Sequence, residues 1–350
     1  MIRVGIAGVG FMGWIHWLAY QQVDGVQVTA ICERDEKRLS GDWTDIKGNF
    51  GPPGETVDLT GVGTFRDLEA MVQDSELDLI DICLPPSLHV QAIELAARAG
   101  KQVFCEKPLA LSLADCDRAN QACQAAGVQL LVGHVLPFFP EYRFAREVID
   151  SGQYGQVVGG HFTRIISDPT WLADFYDPDR VGGPLIDLHI HDAHWIRLLF
   201  GRPLEVCSTG RMRGEVVSYC DSLFRFENPE RVVSSRTGVI DQQGRPFLHG
   251  FEIQLEQATM QFEFGALAVG SEASPLKLFT PDGQVERPDI GDGDPLRGFE
   301  AEIREVVRSI ESGQPSAILG GTLARDAIEI CLAEAESVRQ RTSVRLPSGD

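Results

Sequence analysis

Arg3-Val4-Gly5-Ile6-Ala7-Gly8-Val9-Gly10-Phe11-Met12-Gly13 decides how this chain folds. An apolar, strand-like run ends in three glycines spaced Gly-x-Gly-x-x-Gly, and residues 12–22 then repeat apolar side chains at a helical period. Strand, glycine turn and helix in that order lift the pattern above chance. The first glycine permits the tight turn, the second lets backbone approach a pyrophosphate, and the third lets helix pack on strand with its N-terminus facing the anion. The turn, with Gly8, Gly10, Phe11, Met12 and Gly13, is the first candidate cofactor-binding segment. Glu33 follows Gly13 by twenty residues at the end of a second strand-like run, where a carboxylate can accept hydrogen bonds from the ribose hydroxyls of NAD and repel a 2′-phosphate. Arg34 beside it could stack on adenine or soften that repulsion, so the reading is NAD with NADP left open. The competing reading of 33–38 is a solvated charge run, Glu-Arg-Asp-Glu-Lys-Arg, against which the glycines weigh.

Working outward, short runs rich in Val, Ile and Leu at 3–9, 26–32, 77–84 and 101–105 alternate with helical patterns at 12–22, 65–73 and 87–99. Such alternation means parallel strands joined by helical crossovers. Ser112 caps a further helix to 126, a strand follows at 128–132, and Pro137 and Pro140 then punctuate the chain. Residues 40–63 form an excursion longer than common α/β connections, expected to be a lid or an interface loop. Beyond 132 the runs at 157–166, 205–209, 220–226, 232–239, 250–255 and 259–263 alternate in polarity with no regular helices between them, which predicts an antiparallel sheet with one wet face. Helices are expected at 186–200, 298–311 and 321–339. The fold class is therefore α/β: a doubly wound, mostly parallel Rossmann domain over 1–132 that binds NAD(P), and over 133–350 a second α/β domain on a mainly antiparallel sheet.

At 350 residues, 43% apolar and 23% charged, the chain has ordinary soluble composition and room for two cores. A formal charge of −20 argues against a nucleic-acid partner, whose binding rests on neutralised phosphates. No apolar stretch approaches the roughly 20 residues of a membrane helix, and the N-terminus reads as no signal peptide. Eight cysteines without a Cys-x-x-Cys read as small buried hydrophobes in a reducing cytoplasm rather than a zinc site.

Three further constellations carry chemistry. Leu84-Pro85-Pro86-Ser87-Leu88-His89 ends one strand and starts a helix, so Leu84, Pro85 and His89 are expected near the cofactor, although a packing hydrogen bond explains His89 equally well. Glu106-Lys107-Pro108 ends the next strand. An ammonium there can stabilise an oxyanion as hydride leaves carbon, while a salt bridge with Glu106 is the structural alternative. Asp187 and His191 lie four apart on an expected helix and so share a face, where a carboxylate can orient an imidazole that accepts a hydroxyl proton. His189, His191 and His194 cannot all face one point on a regular helix, so no metal is expected. His134, Trp171 and Tyr176 are candidate substrate contacts, the aromatics, with Phe175, because their faces can stack on a substrate ring, while simple packing of the loop is the alternative.

Taken in order, the glycine turn, Pro85-x-x-x-His89, Glu106-Lys107-Pro108 and Gly182-Gly-Pro-Leu-x-Asp187-x-x-x-His191 resemble the Gfo/Idh/MocA family of oxidoreductases. Gln153-Tyr-Gly155-Gln-Val157 and Ala333-Glu-Ala335-Glu-Ser337 extend the likeness over nearly the whole chain. The resemblance implies hydride transfer between NAD(P) and a sugar, cyclitol or derivative, with Lys107, Asp187 and His191 as catalytic residues that also meet substrate, and with Glu106 and Lys107 near the cofactor. It further implies that 133–350 is a substrate-binding and oligomerisation domain on an open, mainly antiparallel sheet, assembled as a homodimer or homotetramer. The chain departs from the pattern at Pro137-Phe138, where members often carry arginine-phenylalanine, and at His189 and His194, which leaves the substrate open. Two rival functions share these residues: a glycosidase that oxidises its sugar transiently with NAD, and a non-catalytic sensor of NAD or sugar.

Overall fold

The computed structural model describes residues 1–74, 76–291 and 293–347. The chain divides into two compact units, Met1–Phe139 with Asp292–Arg325, and Pro140–Gly291 with Asp326–Asp350. The first unit is laid down as β1 (Ile2–Ala7), α1 (Phe11–Tyr20), β2 (Val26–Cys32), α2 (Glu36–Leu39), β3 (Gly63–Phe65), α3 (Leu68–Val72), β4 (Leu79–Ile82), α4 (His89–Arg98), β5 (Gln102–Glu106), α5 (Leu113–Ala126) and β6 (Leu130–Gly133). Its six strands are all parallel, in the order β3-β2-β1-β4-β5-β6. Helices on both faces explain why β4 and β6 are buried at every position. Ser112 caps α5 as its sequence suggests, accepting from the Asp115 N–H at 3.2 Å.

The strand order reverses between β1 and β4, the switch point at which open α/β sheets bind ligands. Register brings the carboxyl ends level: Ala7 lies beside both Cys32 and Ile82, Ile82 beside Cys105, and Glu106 beside Gly133. Every loop that leaves these ends therefore starts from one edge of the sheet.

The second unit contains α6 (Pro140–Asp150), β7 (Val157–Ser167), a π-helical turn (Leu185–His189) that runs into α7 (Ile190–Phe200), and then β8 (Glu205–Arg213), β9 (Val216–Arg225), β10 (Val232–Ile240), β11 (Phe247–Leu255), β12 (Thr259–Ala266), β13 (Ser271–Phe279) and β14 (Val285–Glu286). After α8 (Leu296–Ser312) and α9 (Gly321–Gln340) the chain ends on β15 (Val344–Arg345). The nine strands run β14-β13-β12-β11-β7-β10-β9-β8-β15, antiparallel throughout except where β7 and β10 lie parallel. Along β9 the last residues alternate buried and exposed, the one wet face that the sequence pattern predicts.

The units differ from the expected boundary at 132 in two places, since 133–139 and 292–325 both fall in the first unit. The reason is apolar packing: Phe299 of α8 stacks on Phe50 at 5.4 Å and meets Phe139 edge-on at 6.2 Å. Phe50 belongs to the 40–63 excursion, which is a packed strap. Trp43 is fully buried edge-on between Trp14 and Trp17 of α1, and Trp14 donates its indole N–H to the Pro52 carbonyl at 3.0 Å.

Candidate active site

The glycine turn is forced by its own backbone. Gly8 has φ of +95°, and a Cβ there would lie 2.8 Å from the Cys83 carbonyl oxygen; a Cβ on Gly13 would lie 2.2 Å from the Gly8 carbonyl oxygen. A Cβ on Gly10, by contrast, would meet nothing within 4 Å, so the space in front of the turn is open to a ligand. Gly10 caps α1 without a side-chain bond, which leaves the first-turn N–H groups of Phe11 and Met12 to face an anion. Glu33 leaves β2 directly beside this turn. One carboxylate oxygen accepts from the Val9 N–H at 3.0 Å, and the other from the Arg34 and Asp35 N–H groups at 2.6 and 3.2 Å. Those bonds fix the carboxylate and still leave lone pairs for ribose hydroxyls. The residues thus fit a dinucleotide. Sequence reading passed over Arg38 inside the charge run. Its guanidinium donates to the Val9 carbonyl and to Asp45, both at 3.0 Å, and lies 4.0 Å from Glu33, so it braces the turn while Arg34 is exposed.

Leu84, half-buried, and Pro85, exposed, leave β4 on the same edge. His89 is buried, with Nδ1 2.8 Å from the Pro108 carbonyl and Nε2 2.7 Å from the Leu84 carbonyl. Burial lowers its pKa, so the neutral ring has one N–H to donate to one of these carbonyls while its other nitrogen abuts the second. His89 therefore ties the 84–89 turn to the 106–108 turn, the packing role that its sequence context allowed. Lys107 emerges half-buried from the end of β5, its N–H donating to the Glu106 carboxylate at 3.1 Å, and a cis peptide joins it to Pro108. His134, one residue beyond β6, is buried on the same edge.

In the second unit the expected regular helix is π-helical over Leu185–His189, so Asp187 sits on a wider turn than His191, the second residue of α7. The four-residue spacing therefore does not place them as a 3.6-residue period would. Such π turns occur frequently at functional sites. Both side chains are half-buried. Beneath them Arg164 of β7 donates to Asp192 from Nε and Nη2 at 2.6 and 3.1 Å, both residues buried. His189 points the other way, its Nε2 2.9 Å from Glu334 of α9. Burial opposes a charge on His189, but Glu334 and Asp192 together outweigh it and the pKa is raised.

The two loop aromatics differ. Tyr176 is already engaged: its hydroxyl donates to Asp168 at 2.7 Å, and the Arg213 guanidinium sits 3.9 Å over its ring. Trp171, at 62% exposure, remains presented to solvent.

A parallel sheet with a dinucleotide turn at its switch point, followed by a unit whose mostly antiparallel sheet is accompanied by a helix carrying Asp187 and His191, defines a two-domain, dinucleotide-binding oxidoreductase. Residues 2–134 match the oxidoreductase family model with an NAD-binding Rossmann fold, and residues 142–264 match the GFO/IDH/MocA C-terminal domain. The chain belongs to the Gfo/Idh/MocA family of oxidoreductases. It is 25% identical to a myo-inositol 2-dehydrogenase from Thermotoga maritima, over 99% of this chain and 98% of that one. It is 26% identical to an inositol 2-dehydrogenase from Rhizobium meliloti, over 99% of both. A 2,7-anhydro-N-acetylneuraminate hydratase from Mediterraneibacter gnavus is 35% identical over 60% of this chain and 52% of its own. The fold is shared with levoglucosan dehydrogenase in complex with NADH and L-sorbose (TM-score 0.81, 18% identity, 99% of both chains).

Proposed function

We propose that the protein is an NAD-dependent dehydrogenase that oxidises a secondary hydroxyl of a cyclitol or sugar. The observation that carries this reading is Lys107 leaving β5 on the sheet edge that also bears the glycine turn and Glu33. The family assignment gives the cofactor class, the full-length inositol dehydrogenase relatives point to cyclitols, and the fixed Glu33 carboxylate favours NAD over NADP. The nicotinamide supplies a hydride acceptor. Lys107 donates to the substrate oxygen and stabilises the alkoxide, and His191, oriented by Asp187, takes the hydroxyl proton, so that alcohol and NAD give ketone, NADH and a proton. Trp171 offers an aromatic face for a ring. The fold would assemble as a homodimer or homotetramer, and the eight free cysteines fit a reducing cytoplasm. Among the described residues no helix is long and apolar enough to cross a membrane.

NADH formation is to be followed with NAD and with NADP against inositols, aldoses, anhydrosugars and sugar acids. Reduction of NAD by one cyclitol or sugar class is expected. Cofactor retained through purification with product formed but no net NADH would instead support transient oxidation by a glycosidase, and binding without any turnover would support a sensor. In the same assay Lys107→Met should lower turnover at least about a hundredfold while NADH affinity stays within a few-fold. Undiminished turnover in that variant overturns the role of Lys107.

A further inference from the structure

His16 is an ionisable residue on the buried face of α1 between Trp14 and Trp17, with no exposed surface, and nothing above uses it. Its Nδ1 lies 2.8 Å from the Asp81 carboxylate of β4 and its Nε2 3.1 Å from Glu106 Oε1 of β5. The Phe104 ring stacks on it at 5.3 Å, two residues before Glu106 on the same face of the strand. Glu106 Oε2 accepts the Lys107 N–H at 3.1 Å, so the carboxylate bridges the imidazole and the peptide of Lys107. The neighbouring strand makes room for it: a Cβ on Gly133 would lie 2.9 Å from Glu106 Oε1.

From this geometry we propose that His16, clamped between Asp81 and Glu106, is a positioning residue that fixes Glu106 and, through it, the charge and orientation that Lys107 presents at the sheet edge. Burial opposes a proton on His16, but Asp81 and Cys83 together outweigh it and hold the pKa well above the usual histidine range, which favours an imidazolium between Asp81 and Glu106. Burial also raises the pKa of the other titratable groups around it. Burial pushes the Cys83 thiol up to about 12, Glu302 of α8 is raised well above a usual carboxyl by burial and by Glu106, and the Tyr20 phenol is raised by burial. His16, Asp81 and Cys83 lie close enough to hold a metal ion. That reading is disfavoured because Asp81 occupies Nδ1 and the ligating form of cysteine is the thiolate.

The inference rests on the reading of Lys107 as the group that meets substrate, and its test needs no substrate. The pH dependence of Lys107 acetylation by acetic anhydride is to be measured by peptide mass spectrometry in the full-length protein, with exposed Lys47 as internal reference. Carboxylates are ionised where amines titrate. His16→Gln would therefore leave the full charge of Glu106 facing Lys107 and should move the Lys107 profile up by about one pH unit or more. Asp81→Asn, which removes the anion that keeps His16 charged, should move it the same way by less. Lys47 should not move, and NADH affinity should stay within about threefold. Should His16→Gln fail to fold, Asp81→Asn and Gly133→Ala, which crowds the same carboxylate, carry the test. An unchanged Lys107 profile in the folded variants overturns the proposal. Full turnover in Lys107→Met alongside a shifted profile would instead overturn the assignment of Lys107 and leave the network standing.

Discussion

At the scale of single residues, Glu33 and His189 give separate predictions. Glu33 is held by three backbone N–H groups, so Glu33→Ala removes both a ribose acceptor and the anion that a 2′-phosphate would meet. Fluorescence titration should show NADH binding weakened about tenfold and NADPH binding unchanged or improved, since a hydrogen bond to a charged group contributes about 1.5–3 kcal/mol. His189 has a raised pKa through Glu334, so its imidazolium stabilises the fold fully below the ordinary histidine pKa of about 6.5 and progressively less as pH rises through its folded value. The difference in melting temperature between the wild type and His189→Gln should accordingly shrink as pH is raised, and a constant or growing difference would contradict the pairing. The candidate site could be proposed at this scale because glycine, lysine and acid/base pairs have few structural reasons to occur where they do. His16 was missed although it carried a signal: an ionisable side chain at a core position of an apolar helix requires a buried partner. Those partners, Asp81 and Glu106, lie on strands 65 and 90 residues away, which no local pattern reveals.

Among the elements, α7 and its π turn carry Asp187 and His191, and their seat is the buried Arg164–Asp192 pair. Asp192→Asn would leave a buried guanidinium without its anion, at a cost of about 3–5 kcal/mol. A clear drop in melting temperature is expected, together with lost turnover if the π turn shifts. The double change Arg164→Met with Asp192→Leu should recover most of the stability, because two apolar groups replace two desolvated charges. Five of the six parallel strands of the first unit could be read from sequence because they are rich in apolar residues, whereas β3, three residues with little burial, falls where the expected excursion meets the expected helix at 65. β13 escaped because its burial is sparse, with only Leu276 and Leu278 of its nine residues buried. The parallel pairing of β7 with β10 and the π turn were also illegible, since both depend on which backbone groups pair rather than on side-chain period.

For the whole molecule, the decisive feature is the return of 292–325 to the first unit. A fragment ending at Phe139 would lack Phe299, leaving Phe50 and Phe139 without the ring they pack against, and would uncover the apolar face of α8's site beside α1. Expressed alone it should be insoluble or bind the hydrophobic dye ANS, whereas a version with 293–325 attached through a flexible linker should unfold cooperatively and bind NADH. A soluble, cooperatively folded short fragment would show that α8 is dispensable. The same connectivity sets a timetable on the ribosome. At about 5–20 residues per second, roughly 10–40 s of further synthesis separates Phe139 from Arg325. During that interval the dinucleotide half of the protein is made but lacks its last helix, so the unit encoded first is the one that must wait for completion.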